Sequence, residues 1–208
     1  MIAVATGFDH VTRAMRSLEA AFLIGVQGVS EVWLVRHADS YRDGVTSDDP
    51  PLSTLGRDQA QRLAARVKRA TPAAVYSSPY RRAMETASAI TENVHVDERL
   101  IEVALEIDED GTLNFTETPD SAVKRMTSVI DQVVREHEGQ RVVIVSHGAA
   151  IVALLTDVLQ LESGRLRILP YYTSISTVRA LGERRMVGTI GDSAHLEWAP
   201  PALRATSP

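Results

Sequence analysis

The sequence predicts an α/β domain with three layers, in which helices cover both faces of a central, mostly parallel sheet. Short apolar runs typical of buried strands alternate with longer segments whose apolar residues recur at helical spacing. The alternation continues along the chain without an internal repeat or a low-complexity segment. Such an alternation favours a parallel sheet. A chain of 208 residues is also compatible with a single domain.

An amphipathic helix is predicted before the first strand. Its apolar residues recur at helical spacing, and they are Val11, Met15, Leu18, Phe22 and Val26. A secretory signal is not expected, because charged residues precede the short apolar run and no convincing cleavage site follows it. We assign residues 1–30 to an N-terminal helical extension that docks on the domain or on a second subunit, so a homo-oligomer is one prediction.

The first half of the domain should contain two strands, each followed by a helix. Residues 32–35 and 73–76 are the apolar runs that predict the strands. Ser53 or Thr54 is suited to cap the first helix, and the second helix follows Pro79. The inward residues of the two helices are expected to be Ala60, Leu63, Ala64, Val67, Ala83, Ala87 and Ile90.

The second half continues the alternation and ends with a strand pair. Thr118 and Pro119 are a favourable N-cap and first-turn pair for a long helix, and residues 142–145 are continuously β-branched, as in a buried strand. The long helix should turn Val123, Met126, Ile130 and Val133 inward and end at Gly139. The remaining predicted elements are a helix over 149–159, strands over 174–181 and 186–191 with a turn at Gly182 and Glu183, and a tail over 201–208 after a domain over 31–200.

Composition excludes several classes of partner and site. The net charge is −5 and the 22 Lys and Arg residues are scattered, whereas a nucleic-acid surface collects basic residues on one face. No apolar run approaches the roughly 20 residues that span a bilayer, so no membrane partner is expected. The absence of cysteine excludes disulfides and thiolate chemistry and is compatible with a reducing interior, so we expect a cytoplasmic protein.

Polar residues follow three of the predicted strands, at the point where each strand ends. Arg36 and His37 follow the first strand, and His147 follows the strand over 142–145. The strand over 73–76 leads through two serines to Arg81 and Arg82. Because open parallel sheets bind ligands beyond the carboxyl ends of their strands, we expect these histidines and arginines to share one pocket.

Arginines and histidines together suit the chemistry of phosphoryl groups. A planar guanidinium binds two phosphate oxygens at once. An imidazole is nucleophilic only when the attacking nitrogen is unprotonated, and neighbouring arginines favour that neutral form. The leaving oxygen then needs a proton, which a carboxylic acid screened from water can donate.

Several segments resemble the histidine phosphatase superfamily, also called the phosphoglycerate mutase-like family. Residues 35–39 are similar to its Arg-His-Gly-Glu signature, residues 76–87 to its second-arginine segment and residues 143–148 to its second-histidine segment. Residues 52–56 are similar to the stretch before the family's first helix, and residues 173–176 and 192–196 to its closing strands. The resemblance covers about residues 31 to 198 and implies a phosphoglycerate mutase-like fold.

The resemblance also implies roles for individual residues. His37 would be the nucleophile that forms a phosphohistidine, and Arg36, Arg82 and His147 would bind the phosphoryl group, with His147 also taking part in catalysis. Arg82 is preferred to its neighbour because the family places this arginine directly before Ala-x-x-Thr-Ala. Glu102 matches the position of the proton donor. The substrate would be a small phosphorylated molecule, and the resemblance implies no metal and no cofactor.

The chain departs from the family pattern in three places. After Glu102 the usual Gly, aromatic and Glu-Gly sequence is missing, which leaves Glu106 as a second candidate for the proton donor. Ala38 and Asp39 replace the usual Gly and Glu. Tyr172 stands where the family often has Asn.

Within the family, a phosphatase is favoured over a mutase. A mutase must exclude water from its phosphohistidine, and the segment between Glu102 and Thr118 is too short for a large lid. Open alternatives are a phosphoglycerate mutase-like phosphotransferase, a phosphatase of phosphohistidine on proteins, and a phosphate-binding pseudoenzyme.

Two other classes of enzyme fit the sequence less well. A metallohydrolase could use His37 and Asp39 together with His147, Asp192 and His195, but Arg36 and Arg82 would then lie unexplained beside a cation. A Ser-His-Asp hydrolase is not expected, because the chain lacks a Gly-x-Ser-x-Gly elbow.

Overall fold

The structure is a computed structural model, and it describes residues 7–40, 47, 49–108, 110, 112–162 and 164–197. The helices are α1 (Gly7–Ala21), α2 (Thr54–Ala70), α3 (Arg81–Ile90), α4 (Pro119–Glu136) and α5 (Gly148–Val158). The strands are β1 (Ser30–Arg36), β2 (Ala74–Ser77), β3 (His95–Val96), β4 (Leu105–Ile107), β5 (Leu113–Phe115), β6 (Arg141–Ser146), β7 (Ile175–Leu181) and β8 (Arg184–Asp192).

Six strands form the central sheet in the order β3-β2-β6-β1-β7-β8. The first four run parallel, whereas β7 and β8 are antiparallel to their neighbours. This arrangement confirms the mostly parallel sheet. Arg36 lies opposite Ser146 and Ser77 opposite Val145, so β1, β2 and β6 end at one edge of the sheet.

Helices cover both faces of the sheet, which confirms the three layers. Successive strand residues point to opposite faces. Leu34 and Ile144 belong to the core beneath α4 and α5, and Val35 and Val145 belong to the core beneath α2 and α3. The strands are therefore apolar on both sides, as buried parallel strands require.

The start of α2 is bound to the loop that follows β1. The hydroxyl of Ser53 accepts a hydrogen bond from the amide of Gly56 (2.9 Å), as an N-cap residue does. The same hydroxyl donates to Asp39. A Cβ atom on Gly56 would lie 1.9 Å from the carbonyl oxygen of Asp39, so only glycine fits this approach. The close contact fixes the backbone just after His37.

The long helix α4 begins as predicted but turns a slightly different face inward. Thr118 caps it and Pro119 occupies its first turn. Met126, Ile130 and Val133 are buried, whereas Val123 is only partly buried and the neighbouring Ala122 takes the inward position. Gly139 follows the helix with a positive φ of 71°.

Three short strands were not predicted. β3 has only two residues, and β4 and β5 form a separate antiparallel hairpin in an acidic segment without clear alternation. In this hairpin Leu105 lies opposite Phe115, and Glu106 lies opposite Asn114.

The N-terminal helix forms, and its apolar stripe is not covered by the described part of the domain. Val11, Met15 and Leu18 are 62%, 51% and 53% exposed. α1 ends at Ala21, so the predicted helical position of Val26 is wrong. The predicted tail over 201–208 lies outside the described residues, as do residues 198–200. Within the described chain, no helix combines the length and apolarity needed to cross a bilayer.

Candidate active site

The carboxyl edge of the sheet brings the two predicted histidines together. His37 follows β1 and His147 follows β6, and the centroids of their rings are 5.1 Å apart. Arg36 ends β1, and Arg82 lies in the first turn of α3, which follows β2. These four residues define what we call the histidine pocket.

Hydrogen bonds orient the ring of His37. Its Nδ1 lies 2.8 Å from the carbonyl oxygen of Ala38, and only a protonated Nδ1 can donate to that acceptor. In the neutral ring Nε2 is then unprotonated and accepts a hydrogen bond from Nε of Arg82 (3.3 Å). The unprotonated nitrogen therefore faces an arginine.

Burial keeps both histidines neutral. It lowers the pKa of His37 to about 3, and the charges of Arg82 and Arg36 act in the same direction, against the hydrogen bond to Ala38. Burial likewise lowers the pKa of His147, helped by its neighbours His37 and Arg82. His37 is therefore unprotonated at neutral pH and has an available electron pair.

This shift makes the stability of the fold depend on pH. An unfolded chain protonates position 37 below the usual value of 6.5, whereas the folded chain does so only near 3, so stability should fall as the pH falls between those values. Each such group contributes about 1.4 kcal/mol per pH unit. We expect His37→Asn to reduce the slope of unfolding free energy against pH by that amount in urea titrations below about pH 6.

Ser78→Ala is the matched control for this slope, because it removes a hydrogen bond to His147 but no titrating group. It should lower the unfolding free energy at every pH and leave the slope intact. If the unfolding free energy of His37→Asn changed with pH as steeply as that of the unsubstituted protein, the neutral state of His37 would be contradicted.

Arg36 presents an unsatisfied donor in the histidine pocket. Its NH1 donates to the carbonyl oxygen of Pro170 (2.8 Å), and its Cζ lies 4.1 Å from the ring centroid of Tyr172. Its Nε is buried and has no hydrogen-bond partner among the residues that the structure describes, as is also true of Nδ1 of His147. Unpaired buried polar atoms are rare. A bound anion with several oxygens would satisfy the donor of Arg36.

Asp49, which sequence reasoning missed, fixes the second arginine. Its carboxylate accepts hydrogen bonds from the backbone amide of Arg81 (2.9 and 2.7 Å) and lies 3.4 Å from NH1 of Arg82. The side chain of Arg81 instead pairs with Glu85 and is 60% exposed, which fits the preference for Arg82. The sequence signalled only a polar, proline-containing loop at Asp49.

We expect Asp49→Asn to lower the inhibition constant for inorganic phosphate by about two- to fivefold. The carboxylate pairs with the Arg82 guanidinium and repels an incoming dianion, whereas asparagine carries no charge and therefore removes the repulsion. Steady-state inhibition measures the effect, and Asp58→Asn on α2, whose carboxylate pairs with Arg62, is the control. A higher inhibition constant for Asp49→Asn would instead show that its charge is needed to position Arg82.

His147 is completely buried at the N-cap of α5. Its Nε2 lies 2.8 Å from the hydroxyl of Ser78. The rings of Tyr80 and His147 meet edge-on, with their centroids 5.2 Å apart. Ser78 therefore holds the His147 ring in place. The sequence identified Ser78 only as part of the resemblance and gave no sign of this contact.

Glu102 is held at the amino end of α5. Its Oε1 accepts hydrogen bonds from the amides of Val103 (2.8 Å) and Ala150 (3.0 Å), and its Oε2 accepts a longer one from Ala149 (3.4 Å). Amides in the first turn of a helix have no partner within that helix, so those of Ala149 and Ala150 are available to position this carboxyl group. The competing Glu106 is exposed on β4.

Backbone contacts fix the segment that carries Glu102. NH1 of Arg125 donates to the carbonyl oxygens of Arg99 and Ile101 (2.8 and 2.7 Å). The hydroxyl of Ser146 donates to the backbone carbonyl oxygen of Leu100 (2.8 Å). The position of Glu102 is thereby tied to the end of β6, next to His147.

The alternative metal ligands do not converge on His37. Asp39 binds Ser53, Asp192 binds Arg66, and Nε2 of His195 lies 3.1 Å from the hydroxyl of Thr173. Burial lowers the pKa of His195 to about 4. The described part of the chain contains no group of three or more metal-ligating side chains suited to hold an ion.

Comparison with known proteins defines the class of the chain. The model of the histidine phosphatase superfamily (branch 1) matches residues 32–116 and 105–193. The chain belongs to this superfamily, which confirms the resemblance found in the sequence.

Relatives within the superfamily carry two kinds of name. A probable phosphoglycerate mutase GpmB of Proteus mirabilis is 32% identical over an alignment of 205 positions, covering 80% of this chain and 94% of the relative. A metal-independent phosphoserine phosphatase of Arabidopsis thaliana is 26% identical, covering 81% and 84%.

Solved structures share the fold. A phosphoserine phosphatase of Entamoeba histolytica, in complex with 3-phosphoglyceric acid, has a TM-score of 0.68 at 22% identity and covers 80% of this chain and 99% of its own. A mycobacterial glucosyl-3-phosphoglycerate phosphatase also has a TM-score of 0.68 at 22% identity, with coverages of 79% and 99%.

Proposed function

We propose that the protein hydrolyses phosphomonoesters through a phosphohistidine intermediate on Nε2 of His37. One observation carries this proposal: the His37 ring is oriented through Nδ1 by a backbone carbonyl, its unprotonated Nε2 faces Arg82, and its centroid lies 5.1 Å from that of His147. Relatives named as phosphatases support it.

In the first step Arg36, Arg82 and His147 bind the phosphoryl oxygens. The electron pair on Nε2 of His37 attacks phosphorus, and the bond from phosphorus to the alcohol oxygen breaks. Glu102 gives its proton to the departing oxygen, so the alcohol leaves neutral and Glu102 becomes a carboxylate.

In the second step a water molecule attacks the phosphoryl group. The carboxylate of Glu102 accepts the proton of that water, the bond from phosphorus to Nε2 breaks, and inorganic phosphate forms. His37 and Glu102 regain their starting protonation states, so each cycle is balanced.

We assign the transferable proton to Oε2 of Glu102. Oε1 accepts two short hydrogen bonds, whereas Oε2 accepts one long one from Ala149 and has more capacity to carry a proton. The two amides on Oε1 then position the carboxyl group without occupying the reactive oxygen.

A short hairpin supports hydrolysis over mutase chemistry. β4 and β5 have three residues each, and Leu105 and Phe115 are 38% and 61% exposed. An element of this size covers little surface, whereas a mutase needs a covered phosphoenzyme.

The experiment that separates these activities offers the enzyme 3-phosphoglycerate with a diphosphoglycerate primer and follows both products. We expect free phosphate to form faster than 2-phosphoglycerate. Faster formation of 2-phosphoglycerate would make the protein a mutase. A lack of both products, and of phosphate from a panel of other phosphomonoesters, would leave only a phosphate-binding protein.

We propose that the enzyme acts in the cytoplasm on small phosphorylated molecules, without nucleic-acid or membrane partners, as the charge distribution and the lack of cysteine suggest. We further propose that residues 1–30 are an extension whose exposed apolar stripe on α1 mediates homo-oligomer formation.

A further inference from the structure

We propose that the enzyme prefers phosphomonoesters whose alcohol is apolar and planar, and that this alcohol binds between Tyr80 and Tyr172 beside Leu169. The inference rests on the proposed function and specifies the class of substrate. We call these three side chains, together with Tyr171, the aromatic rim.

Two tyrosines flank the histidine pocket, one at each arginine. The Cζ atom of Arg36 lies 4.1 Å from the ring centroid of Tyr172, and that of Arg82 lies 4.9 Å from the ring centroid of Tyr80. The ring of Tyr172 is also 5.8 Å from that of His37. A phosphoryl group bound by both arginines therefore directs its alcohol past an aromatic side chain.

Leu169 adds an apolar side chain on the Arg36 side of the histidine pocket. It is 68% exposed, yet its Cδ1 lies 2.9 Å from where a Cβ atom on Gly148 would be, and Nε of Arg36 is 3.5 Å from that point. The adjacent Tyr171 is 54% exposed and meets the Tyr172 ring edge-on at 5.8 Å. Exposed apolar side chains that adjoin a polar pocket typically mark a binding site for a ligand with an apolar part.

The backbone beneath the rim is held in a defined position. The carbonyl oxygen of Pro170 accepts from Arg36, and the amide of Thr173 donates to the carbonyl oxygen of Arg36 (2.9 Å). Thr173 is buried with a φ of 57°, a conformation that costs energy for a β-branched residue and persists because its surroundings fix it. The rim is thus built on the arginine that binds phosphate.

Charges beside the pocket disfavour an anionic alcohol. Asp49 lies next to Arg82, and Glu85 pairs with Arg81, so the other cation of this segment is already neutralised. An alcohol that carries a carboxylate would be repelled by Asp49 beside Arg82, because like charges repel. A neutral aromatic alcohol avoids this repulsion and gains contact area on the rim.

The test compares three alkyl esters, so that leaving-group reactivity does not decide the result: 2-phenylethyl phosphate, propyl phosphate and phosphoserine. We expect kcat/KM for 2-phenylethyl phosphate to exceed that for propyl phosphate by about tenfold or more, and phosphoserine to be the poorest. Leu169→Ser and Tyr172→Asn should each lower the ratio of 2-phenylethyl to propyl phosphate severalfold. Tyr172→Phe should preserve that ratio.

Leu161→Ser is the matched control, because Leu161 is a 42% exposed leucine preceding the rim segment and has no role in the proposal. It should leave the ratio unchanged. Turnover of all three esters with a ratio near one, or a preference for phosphoserine, would overturn the inference while leaving phosphatase activity established.

Calorimetric binding of the matching phosphonates separates the two proposals if no ester is turned over. Tighter binding of 2-phenylethylphosphonate than of propylphosphonate, lost in Leu169→Ser, would support the aromatic rim although the proposed hydrolysis had failed. Equal binding of the two phosphonates would overturn the rim independently of catalysis.

Discussion

His37→Ala should lower phosphomonoester turnover by on the order of 10⁴–10⁶-fold, the range of single removals within a catalytic triad. The variant lacks the imidazole ring that the Ala38 carbonyl orients through Nδ1 and that Arg82 contacts at Nε2, the proposed attacking atom. Arg36 and Arg82 remain, so binding of inorganic phosphate should persist within a fewfold. Steady-state kinetics and phosphate calorimetry measure the two effects.

The control for this variant is His10→Ala, which removes an exposed histidine on α1. It should retain the kcat and KM of the unsubstituted enzyme. Turnover by His37→Ala at a normal rate would show that another group attacks phosphorus. Loss of phosphate binding together with turnover would show that the pocket had collapsed, and His37→Asn would then replace it as the test.

Glu102→Gln should slow alkyl phosphates by about 10²–10⁴-fold, the usual contribution of a general acid. Aryl phosphates with good leaving groups need little protonation, so the loss of rate on these substrates should be far smaller. Glutamine keeps the size of Glu102 and its acceptor oxygen but has no proton to donate from Oε2. The measurement is kcat/KM for a series of esters with leaving groups of graded acidity.

Glu106→Gln is the matched control, because it makes the same change on the exposed hairpin strand β4. Its activity should be nearly normal on every ester. A larger loss in Glu106→Gln would transfer the role of proton donor to that residue. Equal losses of activity on alkyl and aryl substrates in Glu102→Gln would show that Glu102 does not transfer the proton.

The layout of the domain was accessible from sequence because local patterns determine it. Buried parallel strands are apolar on both sides, so residues 32–35 and 142–145 stood out as strands of the sheet. Polar residues directly after such strands must meet at one edge. The convergence of His37 and His147 followed from that rule, whereas their chemical roles came from the resemblance to a family.

Contacts between distant segments were not accessible in the same way. Asp49 reaches Arg82 across 33 positions, and Ser78 reaches His147 across 69, and neither pair shares a local pattern. The hairpin β4–β5 lacks the alternation that marks a half-buried strand. The stripe on α1 was recognised, but periodicity shows only that a face is apolar and not what covers it.

Trapping the phosphoenzyme tests the central claim most directly. The enzyme is mixed with a phosphate-labelled aryl ester, quenched within milliseconds in base, and digested to locate the label. We expect a label that is stable in base, labile in acid and confined to the peptide containing His37, with none in His37→Ala. Continued turnover without any trapped label, or a base-labile label on another residue, would contradict the account.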